Sequence, residues 1–223
     1  MPYDPQMLAA IQAAFAPAIT PGLALGAASS DIFELYVFSL VIEAAESEGA
    51  SISFSDFGGS LPTTFTSRTS PGEIWWTSQP YTHALITFPQ KPPLEGHLSI
   101  YLSGKSRVLH EADISVIHQA EAVACRQNSS SPRSPKALLA IECKHYTSPL
   151  PLGLGRAFIG LRSDFSARYC YFVANTDSAS ISRLLSHNKH EKWEQGLVPV
   201  ALNVVERLRN SFQDCFKNFK ARP

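Results

Sequence analysis

The sequence predicts a single-domain α/β protein with a central mixed β-sheet flanked by helices. Uninterrupted apolar runs at residues 137–141 and 169–174, and a mostly apolar run at 114–117, are typical of buried strands. A helix predicted at 152–165 separates the second and third of these runs in chain order. A strand, a helix and a further strand in this order predict a βαβ unit with parallel strands.

Length and composition fit one folded domain. The 223 residues can bury a sizeable core, and no shift in composition marks a linker between two units. We expect one domain over residues 1–223, with its core at about 31–175 and a C-terminal helical extension at 179–220.

The first half of the chain carries helix signals and then strand signals. An Ala-rich stretch at residues 6–15 predicts a short helix, and a strongly apolar segment at 32–46 predicts a buried one. Ser29, Ser30 and Asp31 are N-cap candidates for the second helix. An extra β-rich segment follows, and the strands predicted within it are 51–54, 74–77, 83–88 and 97–102.

Connections in the second half are predicted from their polar and turn-forming residues. Residues 119–136 contain an Asn/Ser/Pro-rich run, which predicts an exposed and mobile loop between two strands. Farther on, residues 179–185 and 189–195 are predicted as short helices. Residues 203–219 form a last amphipathic helix with a basic face.

Charge is distributed unevenly along the chain, although the net charge is zero. Residues 1–100 contain two basic and nine acidic residues, whereas residues 101–223 contain seventeen basic and ten acidic ones. A surface that binds a polyanion therefore belongs to the second half, if the protein has one. An uneven charge distribution over an ordinary folded surface explains the same counts.

Cysteine spacing and hydropathy predict a cytoplasmic protein. The four cysteines lack C-x-x-C spacing, and Cys143 and Cys170 lie in apolar runs, which favours reduced, buried thiols over disulfides or zinc ligands. No apolar run approaches the roughly 18 residues that a membrane span requires. The first residues lack the basic region of a secretory signal, so we expect no membrane partner.

Charged residues follow the apolar run at 137–141. Glu142 and Lys144 are separated by Cys143, and side chains alternate along a strand, so the carboxylate and the ammonium point to the same side. An ordinary core strand would carry no charges here. The alternative interpretation is a surface salt bridge at the end of a strand.

The run at 114–117 carries acidic residues at its other end. Asp113 directly precedes it, and Glu111 lies two residues earlier on the same side. If this strand neighbours the one that ends at Lys144, the carboxylates and the ammonium converge at one edge of the sheet. The arrangement predicts a cation site with a lysine beside it.

A further carboxylate lies far upstream, on the apolar helix. The helical neighbours of Glu34 include Val37, Phe38 and Val41. A carboxylate on such a face must find a cation or hydrogen-bond donors, or take up a proton.

The order of these elements resembles the PD-(D/E)xK, or restriction-endonuclease-like, nuclease superfamily. Asp113 matches the aspartate of that family, Glu142-Cys143-Lys144 matches its D/E-x-K triplet, and Glu34 matches the acidic residue often found on its first core helix. The resemblance covers about residues 31–175. It implies a restriction-endonuclease-like core and a Mg²⁺-dependent endonuclease that hydrolyses phosphodiester bonds of DNA in restriction, defence or repair.

The resemblance also implies roles for the site residues. Mg²⁺, with Mn²⁺ as a substitute, would be bound by Asp113, Glu142 and the main-chain carbonyl of Cys143. Lys144 would orient or deprotonate the attacking water, or offset charge in the transition state. Glu34 would bind a second cation or hold Lys144, and Glu111 would serve as an alternative outer ligand.

Two further residues are candidates for contacts with nucleic acid. Arg156 lies on the predicted crossover helix and His145 follows Lys144, so both could reach a phosphate. A solvated arginine and a structural histidine are the alternatives. The chain lacks a P-loop and a Gly-x-Ser-x-Gly motif, so the sequence does not support NTP hydrolysis or a serine nucleophile of that type.

Two other functions fit the same fold. The chain could be a catalytically inactive module that binds nucleic acid or protein, which its modest basic charge favours. It could also be a subunit of a larger defence complex, with the C-terminal helix as its docking face. Homodimers are compatible with all three functions.

Overall fold

A computed structural model describes residues 4–15, 19–22, 28–68, 70–188 and 192–222. Its helices are α1 (Pro5–Phe15), α2 (Ser29–Ser47), α3 (Gln119–Asn128), α4 (Leu152–Asp164), α5 (Ala179–His187) and α6 (Leu202–Lys220). Its strands are β1 (Thr20–Gly22), β2 (Ser51–Ser55), β3 (Thr64–Thr66), β4 (His83–Thr87), β5 (Leu94–Ser103), β6 (Leu109–His118), β7 (Ala137–Lys144), β8 (Tyr169–Ala174) and β9 (Lys192–Glu194).

A seven-stranded mixed sheet of order β2-β4-β5-β6-β7-β8-β9 forms the centre of the protein. The five strands from β2 to β7 pair antiparallel, and β7, β8 and β9 pair parallel. Helix α4 connects the parallel neighbours β7 and β8, which confirms the predicted strand, helix and strand order. Strands β1 and β3 form a separate parallel pair.

Helices cover both faces of this sheet. Apolar residues of α1, α2 and α6 form one core cluster with the sheet, and those of α3, α4 and α5 form a second. Helix α2 is buried around most of its circumference because it packs against α1, α6 and the sheet. The predicted α/β class, with a central mixed sheet flanked by helices, is therefore confirmed.

The β-rich segment belongs to the central sheet through β2, β4 and β5. The strand predicted at 74–77 is wrong, because these residues form a turn. The preceding chain is held by an isolated bridge between Gly72 and Ile100 and by a hydrogen bond from the Arg68 guanidinium to the Glu73 carbonyl, not by a ladder. The sequence prediction also missed β3, whose partner β1 lies far away in the chain.

Two predictions for the second half are corrected. Residues 119–136 are not one loop: α3 occupies most of the first half and packs Ala122 and Cys125 against the sheet. The helix ends at Ser129, whose φ of 50° is left-handed. The helix predicted at 189–195 is also wrong, because Lys192–Glu194 pairs with β8 as an edge strand, while 189–191 lie outside the described residues.

The N-cap predicted for α2 at Ser29, Ser30 or Asp31 is wrong, whereas the prediction of buried cysteines is confirmed. Helix α2 starts at Ser29 with Ala28 as its N-cap, and Asp31 stabilises this end by accepting a hydrogen bond from the Ala28 N–H at 3.2 Å. All four cysteines are buried and free of disulfides, as predicted. Within the described part of the chain, every helix is too short or too polar to cross a membrane.

Helix α6 is an integral part of the core. Its apolar stripe faces α2 and the sheet, and Phe212 and Phe216 are fully buried. Basic residues on its other face form ion pairs with acidic residues of the same chain, in the pairs Arg207–Glu194, Arg209–Glu43 and Lys220–Glu48. The apolar stripe is therefore not available as a docking face for a partner.

Removing a large side chain from α6 should destabilise the whole domain. We expect Phe216→Ala to lower the free energy of unfolding by about 3–5 kcal/mol, because it leaves a cavity beside Phe88 in the main core. The matched control is Leu202→Ala on the same helix, which should change stability by less than about 0.5 kcal/mol because Leu202 is 71% exposed. Urea unfolding measures both, and equal effects would contradict a core role for α6.

Candidate active site

The site begins where strands β6 and β7 stop pairing. Their antiparallel ladder ends at the pair Ile114–Ile141, after which β6 continues beside β5 and β7 beside β8. At this point the Asp113 carboxylate accepts a hydrogen bond from the Cys143 N–H at 2.6 Å. A side chain therefore replaces the neighbouring backbone as the partner of β7, and the two strands separate beside it.

Lys144 joins the two carboxylates that flank this separation. Its Nζ atom lies 2.5 Å from Oε1 of Glu142 and 3.7 Å from Oδ2 of Asp113. Asp113 is buried, whereas Glu142 and Lys144 each retain 22% of their side-chain exposure. The predicted convergence of Asp113, Glu142 and Lys144 is therefore present, at a point that solvent reaches from one side.

A local twist of the sheet presents Asp113 to this site. Opposite it on β5 lies Ser99, whose φ of 48° is left-handed, and the regular pairs Leu98–Ile114 and Ile100–Ala112 flank the two residues. Leu98 and Ile114 pack into one core cluster, but Ile100 and Ala112 pack into the other. Both strands thus exchange their faces at this position, which breaks the simple alternation of side chains.

Glu34 approaches the site from helix α2. Its Oε2 atom lies 3.3 Å from the Ser99 hydroxyl, which donates a hydrogen bond to it. Burial is the largest cause that raises the pKa of Glu34, to about 9, and the charge of Asp113 is the next. The carboxyl group therefore holds a proton at neutral pH, which is one of the outcomes that its apolar helix face predicts.

Burial and nearby negative charge also raise the pKa of two other carboxyl groups at the site. Burial, followed by the charge of Glu142, raises the pKa of Asp113 to about 7, and the same two causes raise the pKa of Glu111. Lys144 is the basic residue among these acids, and the charges of Asp113 and Glu142 raise its pKa despite its burial. A cluster of this composition is stabilised by a proton or by a further cation.

Glu111 lies on the α4 side of the site. It lines one small cavity together with Glu142 and with the apolar side chains of Phe158, Leu161 and Phe165. After burial, the charge of Glu142 is the next cause of the raised pKa of Glu111. An outer ligand role for Glu111 remains a prediction.

The carboxylates do not form a closed cage. In the described part of the chain, the potential ligand atoms of three side chains lie within 4.8 Å of one another at a different place. That place is formed by His83, Glu95 and His97. Around Lys144, Asp113 and Glu142 share the ammonium, while Glu34 bonds to Ser99. A hard cation at this site would therefore have two close carboxylates, with Glu34 and Glu111 farther out.

The remaining predicted residues surround this centre. The thiol of Cys143 is buried in the α2 side of the core, so only its main chain is available to the site. The ring of His145 packs 5.6 Å from that of Phe33, and burial lowers its pKa. Arg156 is exposed on α4. Contacts of Arg156 and His145 with a phosphate remain predictions.

The sequence did not identify two positioning residues, Ser99 and Asn175. Ser99 binds Glu34, and its left-handed backbone has no clear sequence signal because it is not a glycine. Asn175 accepts a hydrogen bond from the Tyr146 N–H at 2.7 Å and donates one to the Tyr146 carbonyl at 2.9 Å. This side chain fixes the segment that follows Lys144 to the end of β8.

A comparison with protein-family models, with curated proteins and with solved structures finds no match to this chain. The chemistry of the site therefore carries the functional argument.

Replacing Glu34 should change how stability depends on pH. Between the ordinary pKa of 4.5 and the raised pKa of about 9, the folded protein keeps a proton that the unfolded chain has released, so its stability falls as pH rises. Glu34→Gln removes this dependence. We expect the variant to be more stable by about 4–5 kcal/mol at pH 8 and close to the wild type near pH 4.5.

Urea unfolding between pH 4.5 and 9, in a metal chelator, measures this difference. The control is Glu206→Gln, because the Glu206 side chain is 57% exposed, and its stability curve should run parallel to that of the wild type. A curve for Glu34→Gln that also runs parallel would show that Glu34 is ionised in the folded protein.

Proposed function

We propose that this protein is a Mg²⁺-dependent nuclease that hydrolyses phosphodiester bonds of DNA. One observation carries the proposal: Asp113, Glu142 and Lys144 meet where β6 and β7 separate, and the Lys144 ammonium contacts both carboxylates. This is the residue set that the PD-(D/E)xK resemblance singles out, and it lies at an open point of the sheet.

The order of the elements around the site supports the proposal. An acid-bearing helix, α2, precedes β5, β6 and β7, and α4 then leads to β8, parallel to β7. Asp113 belongs to β6, and Glu142 and Lys144 to the end of β7. We infer that this set of elements is a restriction-endonuclease-like core, to which β2, β4, β9 and the outer helices are additions.

The donor set fits a hard divalent cation. Asp113 and Glu142 both contact one ammonium nitrogen, so a single cation can replace that contact with each of them. Their oxygens, with the Cys143 carbonyl, are ligands of the type that Mg²⁺ and Mn²⁺ prefer. When bound there, the metal would supply Lewis-acid polarisation of a phosphate oxygen and a lower pKa for a bound water.

The side chains of the site have separate tasks in hydrolysis. Water attacks phosphorus and releases a proton to solvent, the bond to one ester oxygen breaks, and that oxygen takes up a proton from solvent. Lys144 keeps its proton in the ion pair with Glu142, so it acts as a cation that orients the attacking water and offsets negative charge, not as the base. Asp113 stays in place through its hydrogen bond to the main chain of Cys143.

The ion pair also favours a second candidate, a binding module without catalysis. In this alternative, Lys144 permanently neutralises Asp113 and Glu142 and no metal enters. Titration of the wild type and of Asp113→Asn with Mn²⁺ separates the two functions: a nuclease loses bound Mn²⁺ in the variant, whereas the closed module takes up the same amount in both proteins.

Removing the ammonium should separate metal binding from cleavage. We expect Lys144→Met to lower the rate of plasmid nicking in Mg²⁺ by about 10²-fold or more, because a charge in the transition state loses its partner. Binding of Mn²⁺, measured by calorimetry, should persist or tighten, because the metal no longer competes with the ammonium for Asp113 and Glu142.

The matched control is Lys105→Met, an exposed lysine in the turn between β5 and β6, which should cut DNA at the wild-type rate. Cleavage by Lys144→Met at the wild-type rate would reject the proposed catalytic role. Cleavage of RNA but not of DNA by the wild type would correct the substrate and keep the chemistry.

A further inference from the structure

A second cluster of ligand-type side chains lies within the sheet, on β4 and β5. The pair Ala84–Gly96 sets the register of these strands, so His83 at the start of β4 lies across from His97. Glu95 lies two residues before His97 and points to the same side of β5. All three residues are buried, with exposures of 3% for His83 and 0% for Glu95 and His97.

The spacing of their ligand atoms fits one small metal ion. Oε2 of Glu95 lies 3.1 Å from Nε2 of His97 and 3.6 Å from Nε2 of His83. The three residues can present ligand atoms that all lie within 4.8 Å of one another. Bonds of about 2.0–2.1 Å in tetrahedral geometry place neighbouring ligand atoms about 3.3 Å apart, between the two measured distances.

Buried polar atoms without hydrogen bonds are a second indication. Nδ1 of His83 is such an atom in the described part of the chain, whereas Nε2 of the fully buried His97 has the Glu95 carboxylate oxygen 3.1 Å away. Ser115, directly across from His97 on β6, also has a buried hydroxyl without a hydrogen-bond partner in the described part of the chain. Such atoms are costly in a protein interior unless they bind an ion or a water.

The surroundings hold two of the three ligands in a suitable state. The hydroxyl of Tyr81 lies 3.4 Å from Nδ1 of His97, which leaves Nε2 for an ion. Arg126 contacts both oxygens of Glu95, at 2.7 and 2.8 Å, and so orients this carboxylate.

We propose that His83, Glu95 and His97 bind one divalent transition-metal ion, with Zn²⁺ as the best fit. Two imidazoles and one carboxylate suit Zn²⁺ and its neighbours Co²⁺ and Ni²⁺, whereas Mg²⁺ prefers a set of oxygen ligands. The burial of all three side chains makes the ion structural, and it would link β4 to β5. The proposal does not depend on nuclease activity.

The same contacts also describe a metal-free alternative. Arg126 and Glu95 form a buried ion pair with two oxygen contacts, and the histidines could line that pair without any metal. The two arrangements differ in whether the folded chain takes up a metal ion, which can be measured on the full-length protein.

Titration of the chelator-treated protein with Co²⁺ tests the proposal. We expect one equivalent to bind at micromolar concentration, with visible absorption bands of low-symmetry Co²⁺, and Zn²⁺ to displace it. Zn²⁺ should raise the melting temperature by on the order of 5–10 °C. A wild-type protein that stays folded after chelation and takes up neither ion would overturn the proposal without any variant.

Substitutions then locate the ion. His83→Gln should weaken Co²⁺ binding by more than about tenfold and remove the Zn²⁺-dependent rise in melting temperature. His187→Ala, at an exposed histidine, and Asp113→Asn, at the other site, should both keep one equivalent of Co²⁺. Loss of binding in Asp113→Asn, with retention in His83→Gln, would assign the ion to the β6–β7 site and overturn the proposal.

Discussion

The candidate active site depends on the hydrogen bond between the Asp113 carboxylate and the Cys143 main chain. This bond replaces the ladder at the point where β6 and β7 separate, so it determines both the opening and the side chains that border it. Lys144 follows Cys143 immediately and is thereby held beside Asp113. A carboxylate that binds the backbone in this way is fixed before any ligand arrives, which is the preorganisation that electrostatic catalysis requires.

Helix α2 couples this site to the core. Helix α2 is apolar on nearly every side because α1, α6 and the sheet surround it. Glu34 is an acidic residue within that packing. Burial of Glu34 in this packing is the largest cause of its raised pKa, and the charge of Asp113, from which the packed helix cannot move away, is the next. The stability of the core is in this way used to hold acidic groups closer together than they would lie on a flexible loop.

The site triplet was predictable from sequence because it rests on local rules. Alternation places Lys144 on the side of Glu142 near the end of β7. The apolar run predicts Asp113 just before a strand, but β6 begins at Leu109, so Asp113 lies inside β6 and beside the end of its ladder with β7. The exchange of faces at Ser99 was not predictable, because a left-handed serine depends on the packing of two strands against different helices. Strands β3 and β9 were missed because each is only three residues long, and the partner of β3 is also distant in sequence.

The two clusters differ in chemistry and in access, and the sheet explains both differences. At the β6–β7 site the strands diverge, solvent enters, and the oxygen ligands share the Lys144 ammonium. The ladder between β4 and β5 ends at the pair Ala84–Gly96, directly beside His83 and His97, and the side chains of His83, Glu95 and His97 are closed off from water. An ion in the closed cluster could exchange only slowly and would meet no substrate, whereas a cation in the open one remains accessible. Divergence of the strands therefore makes the first place suited to reaction, and burial of all three ligands makes the second suited to structure.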